Sequence, residues 1–292
     1  MKRIITIAAI ILAGMPLFAQ NTKETLKTRY ERLVRNLGYA GVGIENVLDQ
    51  WEELDPNDCE MIEARFNYHL ARSKRTEAVP KMQDKFLGNA PVMSLPDSTG
   101  NKVNYFEEDF YDINEFGLAV SNIEKAIRLK PLELQYRVDW INALIAYEKE
   151  QPDMALAQII TMIDMDSKSG IDWTIAGKPA GEGDFPDLIQ QYCFVFFKIG
   201  SPASYEAFNT ISTRMSKLYK DKLDFQCNQG SYWLVAKQNL QKAKKIYEKV
   251  LKSDPENVNA LQNLVILAKK SKNSEMEKEY RQKLANIQNS DE

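Results

Sequence analysis

Gly230-Ser231-Tyr232-Trp233-Leu234, then Ala243, Tyr247 and Val250, and finally Asp254-Pro255, form the stretch that decides the fold. Small and large apolar residues alternate here at helical spacing, and a proline follows the second run. That is the signature of a helix–turn–helix unit about 34 residues long. The first helix puts apolar residues at positions 4, 7, 8 and 11 of the unit. The second needs a small residue at 20, a large one at 24 and a small or apolar one at 27, so that two helices approach closely. Proline at 32 stops the second helix because it cannot continue the hydrogen-bond ladder. One such pair cannot bury its own apolar face, so pairs must stack.

The same grammar recurs along the chain. Ala119, Ile123 and Ala126 precede Pro131, and Ile44, Leu48 and Trp51 precede Pro56. Trp140, Ile141 and Leu144 make a first helix whose partner carries Ala155, Ile159 and Met162. Residues 186–199 and 202–219 make another pair, with Ser204, Phe208 and Ile211 at its packing positions. Leu261, Leu264 and Val265 open a final unit, closed by a polar helix ending near Ile287 whose charged face suits a terminal cap. Asp55-Pro56 and Asp254-Pro255 are the clearest stops, and Gly38, Gly41 and Gly43 mark the turn inside the first pair. The expected fold is all-α, an α-solenoid of about six helix pairs over residues 20–292, with the best-matching repeats at 222–289.

Two segments break the rhythm. In the first, about 74–106, Val92–Leu95 and Lys102–Phe106 flank Pro96-Asp97-Ser98-Thr99-Gly100-Asn101 and read as a β-hairpin or ordered loop. The acidic residues Glu107, Glu108, Asp109, Asp112 and Glu115 then read as the opening of a helix, where acids meet the positive end of its dipole. In the second, about 167–184, four glycines surround Ile171, Trp173 and Ile175. Long loops in a compact scaffold are often functional.

The units resemble tetratricopeptide repeats; a Sel1-like helical array is the neighbouring alternative. The Leu-Phe-Ala-Gln end of the N-terminal segment, the Asp97-Ser98-Thr99-Gly100 insertion and the Trp173 loop together resemble exported tetratricopeptide proteins of Bacteroidetes-type bacteria. That resemblance implies an export route and a scaffold, and no reaction.

Met1–Ala19 reads as a secretory signal: Lys2 and Arg3, an apolar run from Ile4 to Leu17, and small Ala19 before Gln20. The run is short for a membrane span, and no Cys follows it as a lipoprotein would require. Export to the periplasm or beyond is expected, with no membrane span after cleavage. Losing Lys2 and Arg3 takes the net charge from −3 to −5. The balance is uneven, since residues from Asp221 onward carry 13 basic and 10 acidic groups. An acidic chain argues against nucleic acid, whose phosphates need a basic surface. Cys59, Cys193 and Cys227 allow at most one internal disulfide, and Cys193, inside an apolar run, reads as a buried thiol.

Catalytic equipment is sparse. His69 is the sole histidine and reads as a partly buried helix residue, too few imidazoles for a His-rich metal site or for two acid–base roles. There is no Gly-x-Ser-x-Gly elbow. Gly177-Lys178-Pro179 lacks the rest of a phosphate loop, and Gly181-Glu182-Gly183 the rest of a dinucleotide fingerprint. Asp164–Gly170 fails as a calcium loop because Lys168 takes a ligand position. No enzyme, cofactor or metal is therefore expected. What remains is a binding groove. In tetratricopeptide-like repeats the first helices line a concave face, which selects Asn67 and Leu70, then Gln135, Val138, Asn142 and Ile145, then Phe225, Asn228, Tyr232 and Val235. Asparagine amides at such positions can clamp the backbone of an extended protein or peptide partner. The alternative is a small-ligand or glycan receptor built on the insertions, with Trp173, Tyr105 and Phe106 as stacking platforms.

Overall fold

Each predicted stop ends a helix, and six helix pairs result among the described residues. The computed structural model describes residues 22–168 and 171–290; the expected signal segment Met1–Ala19 with Gln20, and Gly170 of the rejected calcium loop, lie outside them. The pairs are α1 (Lys23–Leu37) with α2 (Ile44–Leu54), α3 (Cys59–Ser73) with α4 (Ile113–Leu129), and α5 (Leu134–Glu148) with α6 (Asp153–Asp166). They continue with α7 (Asp184–Ile199) and α8 (Pro202–Leu218), α9 (Asp224–Val235) and α10 (Leu240–Ser253), and α11 (Val258–Lys270) and α12 (Ser274–Ser290). Successive pairs pack in chain order, α2 on α3, α4 on α5, α6 on α8, α8 on α9 and α10 on α11. This is the all-α, solenoid-like architecture expected.

The caps explain the boundaries. Thr22, Asp58, Asp112, Ser201, Asn239 and Asn257 each precede a helix and accept a hydrogen bond from a first-turn backbone N–H. Asp55, Lys130 and Asp254 close α2, α4 and α10, each directly before a proline. Close approach is visible where a small residue meets a large one. Ala119, Ile123 and Ala126 are fully buried on α4, as are Ala155, Ile159 and Met162 on α6. Two hydrophobic clusters result, one running from α1 to α9 and a second spanning α9 to α12. Cys59, Cys193 and Cys227 are free and buried. Burial pushes the Cys193 thiol up to about 12, and its sulfur sits 3.6 Å from Ser212 Oγ.

The first insertion is larger than the sequence suggests. It is a three-stranded antiparallel sheet of order β1-β3-β2, with β1 Lys74–Lys81, β2 Met93–Pro96 and β3 Lys102–Tyr111. The expected hairpin is β2–β3, closed by Asp97, whose Oδ1 accepts from the backbone of Thr99 at 2.8 Å and Asn101 at 2.9 Å. Strand β1 was not foreseen, and β3 runs five residues past the expected end. Glu107–Asp109 therefore pair with β1 in register Ala78↔Glu107, Glu77↔Glu108 and Thr76↔Asp109, instead of opening a helix. Lys81 and Lys149 clamp Glu108, and Lys74 reaches Asp109 at 2.8 Å, so cross-strand and tertiary ion pairs take these acids away from the helix dipole. Helix α4 opens only at Ile113, under Asp112. The insertion leaves and rejoins the solenoid at one point, where the Asp112 N–H donates to the Ser73 carbonyl at 2.8 Å. Stacked Phe116 and Tyr147, with Tyr111 beside both, bind its base to α4 and α5.

The second insertion is a small hairpin, β4 (Thr174–Ile175) and β5 (Lys178–Pro179), turning at Ala176-Gly177, both with positive φ. Buried Glu133, just before α5, holds it: its carboxylate accepts from Ala176 N at 2.8 Å, Gly177 N at 2.9 Å and Thr174 Oγ1 at 3.0 Å. Charge-assisted bonds of this kind are worth about 1.5–3 kcal/mol each, with part of that lost to burial of the charge. Glu133→Ala is expected to cost about 3 kcal/mol and to release Trp173 toward solvent. Denaturant unfolding with tryptophan fluorescence checks this; an unshifted emission and an unchanged midpoint would refute it.

Candidate functional site

Helices α3 and α5 leave a groove between them, and the first insertion closes one end. It holds about 290 Å³ and is lined by Asn67 and Leu70 of α3, Asp139 and Asn142 of α5, and Lys74 and Asp109 at the sheet's base. Three residues selected from repeat register, Asn67, Leu70 and Asn142, thus meet in one place. The Asn67 and Asn142 amides make no hydrogen bond within the described residues, and Asn142 is exposed. Ile145, one helical turn on, packs half-buried against the main core, and Gln135 spends its amide on Asp139 Oδ1 at 2.8 Å.

The remaining selected residues are engaged elsewhere. Asn228 exchanges amide hydrogen bonds with Gln190 across α7 and α9, at 2.9 and 3.3 Å. Tyr232 is buried, and its hydroxyl donates to Glu206 at 2.7 Å, so it bridges α9 to α8 instead of facing a groove. Phe225 is likewise core. Trp173 is corrected as an open stacking platform. Phe185 stacks on it at 5.3 Å and 5°, the Arg137 guanidinium lies 5.7 Å from its ring, and its Nε1–H donates to Asp166 at 2.9 Å. Phe106 is buried edge-on against Phe86, which leaves only Tyr105 of that set partly accessible. Flat rings buried this way stabilise the insertions and leave no free face for a sugar.

Reading the register only through its amides misses two carboxylates on the same row of α3, Glu60 and Glu63. They precede Asn67 at helical spacing and occupy positions 2 and 5 of the unit. Glu60 pairs with Lys27 of α1 at 2.8 Å. Glu63, half-buried, has neither an ion pair nor a hydrogen bond within the described residues. Burial, then the charges of Asp139, Glu60 and Glu133, push its carboxyl up to about 7, against the opposing pull of Lys130. Burial also raises Asp139, with the Gln135 amide working the other way. On α7 the fully enclosed hydroxyl of Tyr192 has no hydrogen-bond partner among the described residues, and burial, then the charge of Asp139, opposes its ionisation.

His69 stands outside this row. Its Nδ1 lies 2.8 Å from Glu115 on α4, and Arg72 meets the same carboxylate at 3.0 Å, so the imidazole ties α3 to α4. Among the described residues no group of three or more His, Cys, Asp or Glu is arranged to hold a metal ion. No helix of theirs is long and apolar enough to cross a membrane.

No family model and no curated protein matches the sequence. Among solved structures, the crystal structure of MamA aligns with a TM-score of 0.40 at 13% identity, over 62% of this chain and 98% of that one. The MamA RS-1 ArsTM double mutant aligns with a TM-score of 0.29 at 11% identity, over 92% and 96%. Likenesses of that size leave the fold assignment resting on the six helix pairs themselves.

Proposed function

We propose that the chain is an exported, non-catalytic scaffold of tetratricopeptide type that holds a protein or peptide partner in the groove between α3 and α5. The observation that carries this reading is the pair of uncommitted amides, Asn67 and Asn142, facing one groove that the sheet closes at one end. An extended chain has a backbone N–H and C=O at every residue, and an asparagine amide can satisfy one of each. Leu70 supplies an apolar floor beside them. The export half of the proposal rests on Met1–Ala19 and its resemblance to exported proteins; N-terminal sequencing of the native protein is expected to begin at Gln20.

A photo-crosslinking residue placed at Asn142 is expected to capture one specific partner from the cell envelope, and one placed at exposed Glu275 of α12 is not. Equal labelling from both positions, or none from Asn142, would remove the groove from consideration. The receptor alternative loses its support because Trp173 and Phe106 are buried in the structure they were thought to decorate.

A further inference from the structure

We infer that the turn between α1 and α2 docks the protein on an anionic bilayer surface, with an apolar tip in the interface and arginines of α1 on the lipid phosphates. The turn, Leu37-Gly38-Tyr39-Ala40-Gly41-Val42-Gly43, holds no charged residue, whereas connections between surface helices are ordinarily rich in polar ones. Leu37 is 56% exposed, Tyr39 47% and Val42 89%, and Val42 is the most exposed large hydrophobic residue among those described. Single apolar side chains at a surface are ordinary, but three in one turn mark a contact. The turn also has a fixed shape. The Gly38 N–H donates to the Val34 carbonyl at 2.8 Å, Gly41 to Gly38 at 3.1 Å and Ile44 to Gly41 at 3.3 Å. A Cβ at Gly41 would stand 2.5 Å from the Cβ of Leu37, so the returning chain lies directly on that residue. Backbone bonds and close packing thus hold the three side chains out together.

Charge selects the occupant. Arg29, Arg32 and Arg35 recur every third residue along α1, are exposed, and make no ion pair within the described residues. The acids that follow the turn are already matched. Glu45 accepts from the Tyr68 hydroxyl at 3.1 Å and lies 3.8 Å from Arg72, while Asp49 and Glu52 share Arg65, each at 2.7 Å. Glu24 and Glu53 stand at the ends of α1 and α2 away from the turn, which leaves Glu31 alone among three arginines. At the helical rise, Arg35, Arg32 and Arg29 lie about 3, 7.5 and 12 Å behind Leu37, and a headgroup layer is about 5–8 Å deep. With the tip at the hydrocarbon edge, Arg35 and Arg32 meet phosphate, and the long side chain of Arg29 reaches the outer rim of that layer. Tyr39 suits the same depth, with its ring in the apolar zone and its hydroxyl in the wet one. A protein pocket for Val42 would also need acids matched to arginines spread along the helix, whereas a lipid surface offers phosphate at every position. Each contribution is modest, so attachment is reversible and needs both. The groove between α3 and α5 takes no part, and either reading can fail without the other.

A dye at the tip tests the proposal. Cys59, Cys193 and Cys227 are buried, so Val42→Cys adds one accessible thiol for an environment-sensitive fluorophore. Vesicles of equimolar phosphatidylglycerol and phosphatidylcholine are expected to shift its emission to the blue, and the same dye on Glu275→Cys of α12 should not respond. Titrated by this signal, Arg32→Gln/Arg35→Gln should weaken binding about thirtyfold, and Tyr39→Ser about tenfold. Both changes fall on exposed side chains, and an unchanged melting temperature would show that the fold is kept. Added salt should release the protein, because exposed charges are screened. No shift with anionic vesicles would overturn the proposal. So would an equal shift with phosphatidylcholine alone, or arginine variants that bind as well as the parent. A blue shift that grows with protein concentration in the absence of lipid would give the turn to a second copy of the chain and overturn the bilayer as its occupant.

Discussion

Gly230→Val is expected to unravel the last two helix pairs while leaving the first four folded. Gly230 sits inside α9, and a Cβ added there would stand 2.5, 2.7 and 2.9 Å from three ring carbons of Tyr247. Tyr247 is fully buried on α10, with its hydroxyl 3.0 Å from Ser231 Oγ. Neither the ring nor the helix backbone has room to retreat, so overpacking of about 3 kcal/mol overrides the modest helix-propensity gain from removing glycine. The damage should stay local because α9–α12 share a hydrophobic cluster separate from the one that runs from α1 to α9. In a linear array each pair is stabilised by its neighbours, so a broken seam frays outward. Hydrogen exchange is expected to show lost protection in 224–290 and retained protection in α3–α5. Gly230→Val/Tyr247→Leu should cost less than the sum of its single changes, since the second change makes space for the first. Uniform loss of protection, or additive costs, would show that the seam is not where the strain falls.

The seam was legible in sequence because its information is local. A small residue at one position and a large one 17 later lie within a single unit, and the prolines after Asp55, Lys130 and Asp254 end helices by covalent geometry alone. Strand β1 was not legible for the opposite reason. Lys74-Arg75-Thr76-Glu77-Ala78-Val79-Pro80-Lys81 is charged, exposed over most of its length and carries a proline, and it becomes a strand only because β3 lies beside it. Glu107–Asp109 illustrate the same competition. Their local signal suits a helix N-terminus, and the pairing partner 30 residues earlier overrides it. Trp173 was visible as a conspicuous aromatic in a glycine-rich loop, but its burial depends on Phe185, Arg137 and Asp166, which lie on other elements. Glu63 was hidden by its chemistry. A glutamate on a helix is ordinarily a solvated face residue, and only its partial burial without an ion pair among the described residues sets it apart.

Gly88→Ala is expected to detach the tip of the first insertion from α7. Phe86 and Asn89 exchange backbone hydrogen bonds at 2.9 and 3.0 Å around Leu87-Gly88, both with positive φ, so the tip is a two-residue reversal that favours glycine at its second position. The tip also lies directly on the last turn of α7. A Cβ at Gly88 would stand 2.2 Å from the Lys198 carbonyl oxygen and 2.9 Å from its carbon, and these are backbone atoms that cannot swing aside. Left-handed strain of about 1–2 kcal/mol adds to the steric conflict, so the docked tip loses about 3 kcal/mol or more. The sheet itself should survive, since Lys149 and Lys81 still clamp Glu108 and Phe116 still stacks on Tyr147. Far-ultraviolet circular dichroism is therefore expected to be unchanged while trypsin cuts at Lys85 much faster, and Asn89→Ala, on an exposed side chain, should leave cleavage near wild type. The consequence reaches the groove. The insertion starts beside α3, touches α5 through Lys149 and ends on α7, the three helices that carry Glu63, Asp139 and Tyr192. With the tip released, the last turn of α7 loses its contact with the first insertion, and amide exchange there should rise. Unchanged trypsin cleavage would mean that the contact at Lys198 is tolerated and that the sheet does not tie these helices together.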